Sequence, residues 1–338
     1  MQTQQTLFKP FNYELITKGD PIKQDQWSYA LAFNVDCSIL VAGCSYSIRV
    51  FEVKNGTLEE IQVLNEHKGY VNTLNFFKKS PLQFISSDAD SNIILWKSIN
   101  NKEWKCEQKL LGHTSSIWAL IINKEEDLII SSGLDKRIKF WTQQNQEWIC
   151  FQTIDEGISS HVYSLSLNES QTQLISCNGD STIFIIEKQK QNEWQITQKL
   201  KTTQAGYRVC FINEKIFTFQ PKAAENLEVY EKKENGEFVK STDVSVQGAN
   251  SYCRFLFPQQ FINQKSLLIS KNGSYLNFIR YYQNNDQTNE FKLEQSIDFG
   301  SDTIGYLYGH ASDDGKYLAI WNGQSLEFQI YQYKENEQ

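Results

Sequence analysis

Four histidines and seven cysteines are the residues of this chain best suited to acid–base, nucleophilic or metal chemistry. His310 stands in the string GYLYGHASDDG beside Asp313 and Asp314, where an imidazole and two carboxylates could share a proton or hold a cation, although AspAspGly also makes an ordinary turn between strands. His161 follows SerSer in a loop, from which it could titrate or meet a partner. His67 and His113 differ from these, because each is followed by Ser, Asp and Trp at nearly the same distances. The cysteines, at 37, 44, 106, 150, 177, 210 and 253, form no CxxC pair, as expected of free thiols in a reducing compartment. There is no GxGxxG after a strand, no GxxxxGK, no HExxH and no GxSxG. The expectation is a chain that is not an enzyme and carries no metal and no cofactor.

The elements that position these residues come from a repeat. SSDADSNIILW, residues 86 to 96, matches SSGLDKRIKFW, residues 131 to 141, at a spacing of 45, and the register extends to Phe51, Ile186 and Tyr230. Two looser copies, around residues 270 to 282 and 321 to 333, bring the number to seven. Within a copy, four short runs alternate with period two between turn residues: Ile117 to Ile122, Leu128 to Ser131, Arg137 to Trp141 and Trp148 to Ile154. The fourth run opens on GluTrp at 103 and 104, 147 and 148, and 193 and 194, and on GluPhe at 237 and 238, and 290 and 291. Four strands per ~45 residues predict an all-β, seven-bladed propeller in a single domain. The expected blades are 20–66, 67–112, 113–157, 158–204, 205–249, 250–303 and 304–338. The seventh copy lacks a fourth strand, and FNYELITK at 11–18 is expected to supply it, closing the last blade with an N-terminal strand.

These residues resemble the WD40 repeat family. GlyHis at 112 and 113, Ser131, Asp135 and Trp141 stand where that family carries its His, Ser, Asp, Trp network, and the second copy matches with His67, Ser86, Asp90 and Trp96. In such a network Asp accepts from His while Ser links His to the indole donor of Trp. The fourth copy keeps Ser176 and Asp180 but has Ile186 for Trp, and Lys97 and Thr142 replace the Asp of the closing Trp-Asp pair. The resemblance spans residues 20 to 333. It implies a non-catalytic platform for other proteins, whose first strands point residues into the narrow upper mouth. The residues so implied are Trp27 and Tyr29, Tyr70 and Asn72, Ser116 and Trp118, His161 and Tyr163, Tyr207, Tyr252 and Tyr306, an aromatic collar suited to anchoring a peptide or loop. Lys68 and Arg208 flank it as loop cations. The outer-strand pairs Trp104 and Cys106, and Trp148 and Cys150, are similar to those of the WD40 proteins of cytosolic iron-sulfur cluster targeting.

Composition restricts the partners. Lys and Arg total 33 against 40 Asp and Glu, a formal charge of -7, with no basic cluster, so nucleic-acid binding is not expected. No apolar run reaches the ~18 residues of a membrane span, and the N-terminus has no secretory or organellar pattern. The expected molecule is a scaffold or adaptor subunit, a monomeric propeller within a hetero-complex in the cytoplasm, with the nucleus or a ciliary or cytoskeletal structure also open. The alternatives are an iron-sulfur targeting adaptor and an enzyme using the channel through His161, His310, Asp313 and Asp314. Gln and Asn are spread along the whole chain rather than gathered in one segment, and the richness in Lys, Asn, Ile, Phe and Tyr reads as codon bias.

Overall fold

Runs that alternate become outer strands, and continuous apolar runs become inner ones. Trp194–Lys201 is buried only at alternate positions, whereas Ile39–Cys44, Leu128–Gly133 and Gln173–Asn178 are buried along their whole length. The second kind lies inside a sheet that is itself covered on both faces. In the computed structural model, which describes residues 8–16, 22–100, 102–249, 252–283, 288–300 and 305–336, the strands form seven four-stranded antiparallel sheets. The molecule is a seven-bladed β-propeller.

Each blade is a meander of strands a to d from the central channel outward. Blade 1 comprises Ser28–Phe33, Ile39–Cys44, Ser47–Lys54 and Thr57–Leu64, and blade 3 comprises Ile117–Ile122, Leu128–Gly133, Ile138–Gln144 and Glu147–Ile154. The hydrophobic layers lie between blades. Ile48 and Val50 of blade 1 pack with Phe84, Trp96 and Trp104 of blade 2, and Ile85 and Ile93 of blade 2 pack with Ile129, Trp141 and Trp148 of blade 3. Burying one such indole is worth roughly 5 kcal/mol as an upper bound, so the apolar period fixes blade stacking as well as strand identity.

The seventh sheet is completed from the other end of the chain. Phe11–Leu15 pairs antiparallel with Glu327–Glu335, Phe11 opposite Glu335 and Leu15 opposite Tyr331. Tyr13 is buried; its hydroxyl donates to the carbonyl of Gly315 at 2.7 Å and its N–H to Gln295 Oε1 at 3.0 Å. Residues 17 and 18 of the expected strand, and the expected blade limits at 20, 250, 303, 304 and 338, lie outside the described residues.

Neighbouring outer strands are also clasped by glutamines. The side-chain amides of Gln62, Gln108, Gln152 and Gln198 donate to the carbonyls of Trp104, Trp148, Trp194 and Phe238 at 2.7–2.9 Å. Their side-chain oxygens accept the N–H of the same four residues at 2.7–2.9 Å. Each clasp satisfies one N–H and one C=O on the open edge of the next blade's strand d.

Candidate functional site

The upper face is the one on which strands a begin. In blades 1 to 5 the pairing of strand a with strand b skips one residue: Tyr29 between Ser28 and Ala30, Asn72 between Val71 and Thr73, Trp118 between Ile117 and Ala119, Tyr163 between Val162 and Ser164, and Tyr207 between Gly206 and Arg208. These are β-bulges. A bulge leaves its residue out of the ladder and re-aims the side chain, here toward the channel mouth. The spacing that marked the collar in the sequence is thus the spacing of the bulges.

Ring contacts join most of the collar. Trp118 stacks on Tyr163 at 5.2 Å and meets His161 at 5.3 Å, while Tyr163 meets Tyr207 at 4.7 Å. Across the mouth, Trp27 lies 4.5 Å from Tyr306, and Tyr29 lies 5.6 Å from Tyr70 and 5.0 Å from the buried Tyr308. The two arcs meet on one side through Asn72, whose amide donates to Ser116 Oγ at 3.0 Å and to the carbonyl of Ile117 at 2.9 Å. On the other side they meet through cations: Arg254 lies over Tyr306 and Tyr252, and Lys222 over Tyr252 and Tyr207. His161 Nε2 and the Tyr163 hydroxyl are hydrogen-bonded at 2.8 Å. Burial, and then the nearby Lys136, hold the imidazole below the usual histidine range, while burial raises the Tyr163 phenol to about 12.

Blade 6 departs from the expected register. Its strand a is only Gln260–Ile262, so Tyr252 lies well ahead of it in an irregular leader, 252–259. That leader crosses the mouth and sets Phe255, absent from the sequence reading, against Trp118, Tyr163 and Tyr207 at 4.8, 5.4 and 5.9 Å. Tyr46, from the strand b to c turn of blade 1, is a further addition, 5.0 Å from Tyr70 and half exposed. Tyr306 stands just before strand a of blade 7, Leu307–Ala311. Below the collar the channel widens into a cavity of about 390 Å³ that reaches Lys78, Glu126, Gln171 and Asp313 on the lower face.

The His, Ser, Asp, Trp relays are formed in blades 2 and 3, with one correction. His113 Nδ1 lies 2.8 Å from Asp135 Oδ2 and its Nε2 lies 2.7 Å from Ser131 Oγ, which accepts the Trp141 indole N–H at 2.8 Å. In blade 2 His67 Nε2 and the Trp96 indole meet Ser86 Oγ at 2.6 and 2.8 Å, but the carboxylate on His67 Nδ1 is that of Asp88, at 2.8 Å, not Asp90. Asp90 is exposed in the turn and takes part through its backbone, its N–H donating to Asp88 Oδ1 at 2.9 Å and its carbonyl accepting from the Asn92 amide at 3.0 Å. The position of Asp88 is occupied in blade 3 by Gly133, where a Cβ would stand 2.1 Å from the carbonyl oxygen of Ser116. Blade 3 therefore brings its carboxylate from two residues further on. For both Asp88 and Asp135 burial pushes the carboxyl up, but the histidine and backbone donors outweigh it and hold it below the usual range. In blade 4 the Ser159 hydroxyl and the Thr182 hydroxyl, rather than a histidine, bind Asp180.

The residues of the channel-enzyme reading are not brought together as a set, although His310 and Asp313 line the same cavity. His161 is at the upper mouth, whereas His310 sits toward the lower end of strand a of blade 7. Asp313 pairs with Lys78 at 2.8 Å, and Asp314 accepts from the Ser312 hydroxyl and the Lys316 N–H in a turn. Among the described residues no group of three His, Cys, Asp or Glu side chains converges on a metal position. Arg208, expected as a loop cation, is buried in strand a of blade 5.

The family model for the WD domain, G-beta repeat (WD40), matches residues 58–97 and 104–142, each match running from one blade's strand d to the next blade's strand c. The chain carries WD40 repeats on a seven-bladed β-propeller. Its relatives include Elongator complex protein 2 of Danio rerio, 24% identical over 166 residues that make up 46% of this chain and 20% of that protein. Cilia- and flagella-associated protein 337 B of Tetrahymena thermophila is 26% identical over 196 residues, 57% of this chain and 15% of that protein. Probable cytosolic iron-sulfur protein assembly protein 1 of Candida glabrata is 29% identical over 120 residues, 32% of this chain and 35% of that protein. The propeller thus aligns with a minor part of each relative's length. WD40 propellers are in general modules of protein interaction, and function lies in what their faces and loops carry.

Proposed function

We propose that this propeller is a non-catalytic scaffold or adaptor subunit of a larger assembly, monomeric itself, that holds segments of partner proteins at its upper mouth and works in the cytoplasm. The observation that carries this reading is the bulge-placed collar. Four of five consecutive bulges aim an aromatic ring at one concave mouth, and loop residues Trp27, Tyr70, Tyr252 and Tyr306 extend it. Rigid aromatics at a concave site anchor partner segments, each often worth more than ~2 kcal/mol when covered. A relative bearing the name of a complex subunit, Elongator complex protein 2, supports the same reading.

The test is affinity purification of the tagged propeller with mass spectrometry, beside a Trp118→Ala, Tyr163→Ala double variant with an unchanged melting temperature. Partners lost only from the variant support the upper mouth; partners retained by it move binding to the blade edges or lower face. A second reading, an adaptor for cytosolic iron-sulfur cluster targeting, is favoured by the Candida glabrata relative and the outer-strand pairs Trp104 with Cys106 and Trp148 with Cys150. Absence of a complex with recombinant cluster-delivery partners at about micromolar concentration would count against it.

A further inference from the structure

The leader into blade 6 brings cations to the mouth without carboxylates to match them. Arg208, 1% exposed, donates from Nε to the carbonyl of Phe257, from Nη1 to Cys253 Sγ at 3.3 Å and from Nη2 to the carbonyl of Arg254. Lys271, fully buried in strand b of blade 6, reaches Cys253 Sγ at 3.5 Å and the carbonyl of Arg254 at 3.3 Å. Over this buried pair lie the two cations of the collar itself. The Arg254 guanidinium is 5.0 Å from the centre of Tyr252 and 4.7 Å from that of Tyr306, and its enclosed Nε has no hydrogen-bond partner among the described residues. Lys222, in the strand b to c turn of blade 5, is 5.3 Å from Tyr252 and 5.8 Å from Tyr207.

Among the described residues none of these four cations forms an ion pair with a carboxylate, although acidic residues outnumber basic ones in the chain, 40 to 33. Elsewhere the buried Arg280 is paired with Glu294 at 3.0 Å. Arg254 donates to the Tyr306 hydroxyl at 2.5 Å, and the group that Arg208 and Lys271 share is the Cys253 thiol. Burial pushes this thiol up, but Arg208 and then Lys271 outweigh that and bring it to about 7. Burial pulls the Lys271 amine down to about 8, but one thiolate still balances at most one of the other three cations, so this corner keeps a local excess of positive charge that favours an anionic occupant.

We infer that the corner of the mouth formed by Tyr207, Lys222, Tyr252, Arg254 and Tyr306 receives an acidic segment of a partner protein, its Asp or Glu side chains meeting Arg254 and Lys222. The inference rests on the mouth being a protein-docking site and names the chemistry of what docks there. An acidic peptide fits better than RNA. Base stacking needs free aromatic faces, whereas cations already lie over all three tyrosines, and the positive charge gathers in one corner instead of tracking a backbone.

The probe is a short fluorescein-labelled polyglutamate peptide with a central tyrosine, compared by anisotropy with its polyglutamine counterpart and with labelled oligouridylate. The glutamate peptide is expected to bind at least ~10-fold tighter than the glutamine peptide and to weaken as NaCl rises from ~50 to ~300 mM. An Arg254→Gln, Lys222→Gln double variant, with far-UV spectrum and melting temperature unchanged, is expected to lose about 10-fold, and Arg254→Lys with Lys222→Arg to recover part of it. Equal binding of the two peptides, wild-type affinity in the double variant, or a preference for oligouridylate overturns the inference. Native partners lost from the Trp118→Ala, Tyr163→Ala variant but kept by the charge variant would overturn this inference alone. Partners kept by the aromatic variant would instead count against docking at the mouth.

Discussion

Gln108 holds Trp148 by both of its backbone groups, donating to the carbonyl at 2.8 Å and accepting the N–H at 2.9 Å across the seam between blades 2 and 3. The indole of Trp148 is buried beside Ile85 and Trp141, so the clasp and the apolar layer secure the same seam. Gln108→Ala leaves one N–H and one C=O of an outer strand without their protein partner and is expected to cost about 1–2 kcal/mol. Gln108→Glu keeps an acceptor but places a carboxylate against a carbonyl, and should lose a similar amount. Urea midpoints measure both, and values within ~0.3 kcal/mol of wild type would leave the clasp without energetic weight.

The closing strand is testable at Tyr13. Tyr13→Phe removes only the bond to the Gly315 carbonyl and is expected to cost about 1 kcal/mol. Tyr13→Ala also empties a site stacked on Phe278 at 4.7 Å and is expected to cost ~3–5 kcal/mol. Thermal unfolding should remain one transition in the first variant and move to lower temperature in the second. An alanine variant melting with wild type would mean that the ring does not depend on this strand.

Asp88 and Asp90 give a discriminating pair. Asp88→Ala strips the carboxylate from a buried His67 and is expected to cost ~2–4 kcal/mol, whereas Asp90→Ala, in an exposed turn, should stay within ~0.5 kcal/mol. Because the Asp88 carboxyl is held low in the folded state, its contribution is present above the ordinary carboxylate range and is lost as pH falls through the folded value. Equal costs for the two variants, measured by denaturant midpoint at neutral pH, would contradict the hydrogen bonds described.

His310 predicts a pH dependence of the opposite chemical origin. Its Nε2 is 2.9 Å from the amide nitrogen of Gln260, whose oxygen is already fixed by the Ala311 N–H at 2.7 Å, so Nε2 must accept. Its enclosed Nδ1 has no hydrogen-bond partner among the described residues. Burial, opposed by Asp313 and reinforced by Lys78, brings the imidazole to about 4. The unfolded chain takes up this proton near the ordinary histidine value and the folded chain does not, so stability falls as pH drops from ~6.5 toward 4. His310→Gln should therefore lose less stability than wild type between pH ~7 and ~4.5. Parallel losses in the two proteins would argue against a neutral, half-buried His310.

The seven-fold architecture was legible because hydrophobic period and turn residues act locally, and Phe51, Trp96, Trp141, Ile186 and Tyr230 all occupy strand c. Most of the collar was legible for a related reason, since a bulge at a fixed place in strand a leaves an aromatic residue at a fixed spacing. The clasps leave a trace in the sequence: Gln108, Gln152 and Gln198 each follow by four the Trp of a strand d GluTrp pair, Trp104, Trp148 and Trp194, and Gln62 stands at the matching place in blade 1, but a glutamine spacing alone does not say which backbone groups it meets. Asp88 was hidden because matching by spacing aligned Asp90 with Asp135, and only the steric conflict at Gly133 explains why the two blades draw their carboxylate from different places. Phe255 and the buried setting of Arg208 could not be read at all. Both depend on the blade 6 leader leaving the repeat, and on which strand of blade 5 it meets there.

Residues 11–15 are made well before the strand they pair with and find their place only when it arrives. Their partner strand, residues 327–335, is made some three hundred residues later, so throughout translation the early blades stand as an open arc with an unpaired strand at each end. The nascent propeller therefore needs protection against edge-to-edge association until residues 327–335 are made, and closure of its ring is a long-range encounter that cannot be hastened by fast local folding within any one blade.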